Sequence, residues 1–179
     1  MTEPVPRIAP LAPEERTADD RRELAKFAGT RRSEYNIFTT LAKHRAAFPA
    51  VLDLTQRLIA AGGLTVRDRE IVILRAGSVC GSAYEWSQHV GLGRDAGIDE
   101  PLLKAIAGGP LDEVDPPDRQ LIDAVDELLA AKTLSEPSWL ALRKRFDETQ
   151  TIELILLVGH YHLLALFLNS LHVVPDGPN

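Results

Sequence analysis

Apolar positions recur at helical spacing along most of the chain. The pattern predicts a series of helices separated by glycine- and proline-marked breaks. Residues 1–12 carry three prolines and read as an extended arm. Pro13, with Glu14 and Glu15 behind it, reads as the first turn of a polar helix running to about Phe27 and ended by Gly29. A second helical run starts near Ser33-Glu34 and continues to the Gly62-Gly63 stop, with a kink or interruption expected at Pro49. Thr65 to Asp68 opens a third helix, RDREIVILRAGSV, whose IVIL core on its own also suits a buried strand. No second convincing strand exists to pair with it, so helix is the reading. A fourth helix runs from Ser82 to about Gly97, and a short one from Leu102 to Ala107. Further helices are expected in DPPDRQLIDAVDELLAAKTL, from Ser135 through Phe146, and from about residue 150 onward. The result is an all-α chain in which residues 13–179 form a single helical domain.

Composition narrows the function classes. The 179 residues are 45% apolar and 26% charged, with a net charge of −6 and no basic tract. Nucleic acid and anionic membranes attract clustered positive charge, so neither is an expected partner. The single cysteine, Cys80, excludes an internal disulfide, a CxxC pair and a multi-cysteine zinc site. With no basic start leading into an apolar run at the N-terminus, a cytoplasmic protein is expected. Residues 152–174 are long and apolar enough for a bilayer. They also contain Glu153, Asn169 and three histidines, which favours a buried helix or a subunit contact.

The chemistry-bearing stretch is Arg69 to Arg75 followed by Cys80-Gly81-Ser82-Ala83-Tyr84-Glu85-Trp86-Ser87-Gln88-His89. Ser82, Glu85 and His89 fall on one helical stripe, and Glu85 and His89 are an i, i+4 pair within contact range. A carboxylate beside an imidazole can position a proton donor or acceptor near neutral pH. Tyr84 and Trp86 flank the stripe and can wall an apolar pocket. Ser82 and Glu85 equally fit a capping box, which would make Glu85 structural and His89 an ordinary histidine. His160-x-His162 diverges by about 200° on a helix and makes a poor metal chelate, so no metal is expected.

The segment REIVILRAGSVCGSAYEWSQHVGLGRDAGI resembles the signature of the carboxymuconolactone decarboxylase and AhpD-like alkylhydroperoxidase superfamily. Asn36-Ile37-Phe38 with Leu41 and His44, and the later GHYHLLALFLNSL, extend the resemblance over about residues 33–175. It implies an all-α AhpD-like domain that assembles as a trimer or hexamer. In the peroxidase branch a glutamate precedes a CxxC pair and a histidine follows it. Glu70 and His89 match that glutamate and histidine, while Ser82 and Glu85 stand where the two cysteines would be. Thiol attack on a peroxide followed by disulfide closure requires both sulfurs. The resemblance therefore implies the decarboxylase side, namely cofactor-free acid/base chemistry on a small carboxylated lactone. His89 is then the proton donor or electrostatic stabiliser, Glu85 orients it, and Glu70 is a second acid/base group. Ser82, Tyr84, Trp86, His44 and His160 are the candidate substrate-binding residues. An AhpD-type antioxidant and a non-catalytic oligomeric binding protein remain the alternatives.

Overall fold

The computed structural model describes residues 5–27, 31–60 and 62–176, and among these it contains nine α-helices and no strand. Residues 5–12 carry no regular element, and Pro13–Glu15 forms a single 3-10 turn. The helix expected over residues 13–27 is broken. Thr17 accepts from Asp20 N and the Asp20 carboxylate reaches back to Thr17 N (2.8 Å), so this capping box begins helix α1, Ala18–Leu24, afresh. A 3-10 turn at Ala25–Phe27 follows it, and the stop expected at Gly29 lies outside the described residues.

The expected run from Ser33 to Gly62 also divides, into α2 (Asn36–Leu41) and α3 (Phe48–Ala60). Pro49 kinks neither. It occupies the first turn of α3, where its missing N–H would have had no intrahelical partner. The break comes earlier, in turns over residues 42–47.

Beyond the glycines the order is α4 (Val66–Val79), α5 (Ala83–Asp95), α6 (Glu100–Ile106), α7 (Pro116–Ala131), α8 (Glu136–Arg145) and α9 (Glu148–Leu171). Thr65, Ser82, Asp99, Ser135 and Asp147 each cap the helix that follows by accepting a first-turn N–H. α4 is the central element, packed against α5, α7 and α9. That position explains its lack of a polar face: Ile71, Val72, Ile73, Leu74 and Ala76 are all sealed from solvent. Each such aliphatic side chain contributes about 1.5–3 kcal/mol by leaving water. The remaining polar residues of α4 are paired outward. Arg67 grips Asp118 (2.6 and 2.7 Å), Arg75 grips Asp126 (2.7 and 2.6 Å) and Arg145 bonds Asp68, joining α4 to α7 and α8. A smaller apolar cluster of Leu11, Leu24, Ala42, Phe48 and Leu52 seats the N-terminal segment.

α9 is 24 residues long and apolar enough to cross a membrane, but most of its apolar window is buried within the domain. Leu154, Leu157, Val158, Tyr161, Leu164, Ala165 and Leu168 face inward. Glu153 is buried too, and its carboxylate accepts N–H groups from Gly63 (2.5 Å) and Leu64 (3.3 Å), fixing the loop that leads into α4.

Candidate active site

Two glycines set the geometry of the α4–α5 corner. Gly81 adopts φ +62, and the Gly81 and Ser82 amides bond back to Ser78 O (3.0 Å) and Gly77 O (2.8 Å). This is the glycine-dependent stop that reverses a chain at a helix C-terminus. At Gly77 a Cβ would sit 3.2 Å from Glu85 Cβ, so the missing side chain allows α5 to lie directly on α4. Glu70 of α4 thereby comes beside Glu85 and His89 of α5.

The imidazole of His89 lies at the centre of this cluster. Its Nδ1 is 2.8 Å from Glu70 Oε2, and its Nε2 lies 3.3 Å from the Tyr161 hydroxyl on α9 and 3.7 Å from Glu85 Oε2. The Tyr161 ring stands at 85° to the imidazole with centroids 5.3 Å apart. An ionised Glu70 can only accept, so the network assigns the ring proton to Nδ1 and leaves the Nε2 lone pair facing Tyr161 and Glu85. The side chains of Glu70 and Glu85 are 3% and 4% exposed, whereas His89 at 13% gives the cluster its contact with solvent.

The capping alternative is settled in part. Ser82 Oγ accepts from Glu85 N at 3.3 Å, but the Ser82 amide is already bonded to Gly77 O, and the Glu85 carboxyl turns toward His89. Its Oε1 is buried and has no hydrogen-bond partner. Burial pushes the Glu85 carboxyl up to about 7, only partly opposed by the charge of His89. A carboxyl in that state keeps its proton, and so can donate, up to about pH 7.

The roles expected of the two acids are therefore redistributed. Glu70 makes the direct hydrogen bond that orients His89, and Glu85 is the unpaired acid beside it. Among the described residues no arginine contact reaches the His89–Glu85 side of the cluster: Arg75 is committed to Asp126 and Ile106 O, while Arg69 places Nε 3.8 Å from Glu70 Oε1 and donates to Ile59 O at 2.7 Å.

The other sequence candidates lie elsewhere. Tyr84 is buried, accepts from Ile37 N (3.3 Å) and bonds Asp176, so it ties α5 to α2 and the C-terminal segment instead of walling a pocket. Trp86 is half-buried against the main core. His44 is exposed, and its Nδ1 accepts from Ala47 N (3.2 Å), a local turn contact away from His89. His160 is buried with Nε2 2.9 Å from Thr55 Oγ1, and burial pushes it down to about 4, so it is a neutral core group one ring removed from His89 across Tyr161. His162 instead meets Cys80, with Nδ1 3.3 Å from Sγ, in a surface depression also lined by Val79, Leu129, Leu166 and Asn169. Burial pushes the Cys80 thiol up, away from the thiolate form that attacks peroxides. Neither that depression nor a second one, between α7, α8 and α9, is lined by Glu70, Glu85 or His89.

Tyr161 carries no motif signal of its own: it sits between His160 and His162, and an aromatic inside an apolar helix reads first as packing.

Residues 45–109, the stretch containing this corner, match the family model described as the carboxymuconolactone decarboxylase family. Among solved structures, the chain resembles an uncharacterised peroxidase-related protein with an alkylhydroperoxidase AhpD core from Ralstonia eutropha, with 21% identity and a TM-score of 0.80 over 98% of this chain and 94% of that one. A second uncharacterised peroxidase-related protein, from a Silicibacter species, gives 18% identity and a TM-score of 0.74 over 99% and 96%. A protein of unknown function from Agrobacterium tumefaciens gives 20% identity and 0.67 over 77% and 96%. At these identities the likeness is one of fold. No curated protein matches the chain.

Proposed function

We propose that this chain, whose residues 45–109 match the carboxymuconolactone decarboxylase family model and whose fold resembles AhpD-core structures, is a cofactor-free acid/base enzyme acting on a small carboxylated lactone or related oxo acid, by decarboxylation or simple proton transfer. The observation that carries this reading is the cluster of Glu70, His89 and Glu85, in which one buried carboxyl orients the imidazole and the other keeps its proton up to about pH 7. Such a pairing of an oriented imidazole with an unpaired acid suits a reaction in which negative charge develops on a substrate oxygen and a proton is then delivered to carbon. Thiol peroxidase chemistry is disfavoured: Ser82 and Glu85 hold the positions of the two sulfurs, and Cys80 faces His162 outside the triad.

The test is an assay of purified protein against a panel of carboxylated γ-lactones and 3-oxo acids, following CO2 release and solvent deuterium incorporation. Turnover by the native chain, undiminished in Cys80→Ser, is the expected result. Turnover of none of the panel, together with peroxide consumption abolished by Cys80→Ser, would replace this reading with the antioxidant one.

Self-association is part of the same proposal. Ile152, Leu156, Leu163 and Leu166 project from α9 into solvent, and with Gly159 they alternate by four and three residues, the spacing of a helix–helix seam. Ile155, Trp139 and Leu140 widen the stripe. At Gly159 a Cβ would meet nothing within 4 Å, and the seam is nearly symmetric about it, which suits an antiparallel α9 pair across a two-fold axis. An exposed apolar stripe of this kind normally marks a contact. Gly159→Cys in a Cys80→Ser background is expected to form a disulfide-linked dimer on mild oxidation, and Leu163→Glu to shift the sedimenting species to monomer. A native chain sedimenting as monomer would remove this contact.

A further inference from the structure

Resting on the acid/base reading above, we propose that Tyr161 and Glu85 form a two-donor cradle for the oxygen of a carbonyl that enolises during the reaction.

The geometry comes from three helices meeting at one imidazole ring. His89 Nε2 has the Tyr161 hydroxyl at 3.3 Å on one side and Glu85 Oε2 at 3.7 Å on another, while Glu70 occupies the far nitrogen at 2.8 Å. Nε2 has one lone pair, so only one of the two hydroxyl donors can be satisfied by it at a time. The nearer, Tyr161, has that contact. Glu85 Oε1 is left buried without any partner, a situation native structures rarely maintain unless a ligand or water supplies the missing contact. A substrate oxygen lying between Tyr161 and Glu85 would accept from both and release Nε2 for proton transfer.

The surrounding charges favour a hydrogen-bonding cradle over an ion-pairing one. The titratable and charged groups around Glu85 are Tyr84 and His89 from α5, Glu70 and Arg69 from α4, and Tyr161 with His160 behind it from α9. Arg69 lies against Glu70, and His160 is neutral. No cation is aimed at the Glu85–Tyr161 gap among the described residues. A phenol and a neutral carboxylic acid held in apolar surroundings are an effective pair of donors for an enolate.

The step then balances without a cofactor. In a 3-oxo acid the bond between the α-carbon and the carboxylate breaks, carbon dioxide leaves, and the electron pair moves into the carbonyl, whose oxygen becomes the enolate held by the Tyr161 and Glu85 hydroxyls. A proton taken from solvent by His89 Nε2 is delivered to the α-carbon, and the enolate collapses to the ketone. The net reaction is 3-oxo carboxylate plus one proton to ketone plus carbon dioxide.

The test uses 4-nitrophenol, whose phenolate oxygen imitates the enolate and whose ionisation is read directly by absorbance. Native protein at pH 6 is expected to bind it saturably and to raise its phenolate fraction. Tyr161→Phe and Glu85→Ala should each weaken binding about tenfold, the loss of one strong donor, while Glu85→Gln, which keeps an N–H donor, should bind within about threefold of native. Circular dichroism melts identify any variant that fails to fold, and the Glu85→Ala and Glu85→Gln comparison then decides alone. Absence of saturable binding by the native protein, or equal binding by native, Tyr161→Phe and Glu85→Ala, overturns the cradle. The two readings fail separately. Phenolate binding with the expected pattern but no turnover of any lactone or oxo acid sinks the acid/base enzyme and leaves the cradle. Turnover unaffected by Tyr161→Phe sinks the cradle and leaves the enzyme.

Discussion

His89→Ala is expected to lower turnover of the responsive acid about 10²–10⁴-fold, the usual contribution of a positioned proton-transfer group, while far-ultraviolet circular dichroism stays native. The side chain is partly exposed and lies between helices whose contact is held by α4 and α5 themselves, so its loss does not open the core. Glu85→Gln separates the neighbouring acid from the imidazole. In the native chain the donor state of Glu85 exists only while its carboxyl is protonated, so turnover should hold below about pH 7 and fall as pH rises through that value. Glutamine donates at every pH, so that alkaline fall should vanish in Glu85→Gln and persist in any variant that leaves Glu85 in place. Stability moves with the same proton. A carboxyl whose folded pKa is raised contributes fully below its unfolded value near 4.5 and loses that contribution as pH climbs through about 7. Glu85→Gln should therefore melt higher than native at pH 8 by more than it does at pH 5. A turnover profile with the same alkaline limb in both proteins would detach Glu85 from the chemistry.

The largest stability effect is expected at Glu153, far from this chemistry. Its buried carboxylate accepts the Gly63 and Leu64 amides, and Gln150 reaches Gly63 O from the turn before it (2.9 Å). Removing the acceptor leaves the buried Leu64 amide unpaired and takes a charged partner from the Gly63 amide at the loop surface. Glu153→Ala should therefore cost about 3 kcal/mol, which for a chain of this size lowers the melting temperature by about 6–12 °C. Repair from outside is blocked by packing: a Cβ at Gly62 would lie 2.0 Å from the Glu153 carboxylate, so a bulkier residue there displaces the same contact. A thermal melt of Glu153→Ala within 2 °C of native would show that the loop is held by other means.

The helices were legible wherever a local signal ended them. Thr65, Ser82 and Ser135 announce their helices by capping, and the Gly62-Gly63 and Gly81 breaks fall where a glycine run or a left-handed corner stops the chain. Boundaries differ from the sequence pattern where the Thr17 capping box restarts a helix, where turns over residues 42–47 divide a run, and at Pro49, whose effect depends on its distance from a helix start. The site was half legible. Spacing along one helix brings Glu85 to His89, but the hydrogen bond from Glu70 crosses from α4 and the one from Tyr161 crosses from α9. Contacts between elements distant in sequence leave no mark in local periodicity. Glu70 was reached only through the family resemblance and Tyr161 not at all. His44 and Tyr84 show the converse error: both stand at suggestive positions, and each spends its polar atom on backbone or tail contacts.

The N-terminal segment and the C-terminal segment meet on one side of the domain. Arg7 N donates to Leu171 O (2.8 Å), Asn36 N to Asp176 (2.8 Å) and Asn36 Nδ2 to Val174 O (3.0 Å), with Tyr84 bonding the same aspartate. The polypeptide is thus a nearly closed ring with a non-covalent clasp, and the clasp joins the parts most widely separated in sequence. Interactions spanning so long a loop gain their strength only after the helices between them are already assembled. They are consequently the last to lock during folding and the first to let go. Through Tyr84, release there reaches the first turn of the helix bearing His89, so fraying at the chain's two ends is felt where a substrate would be held.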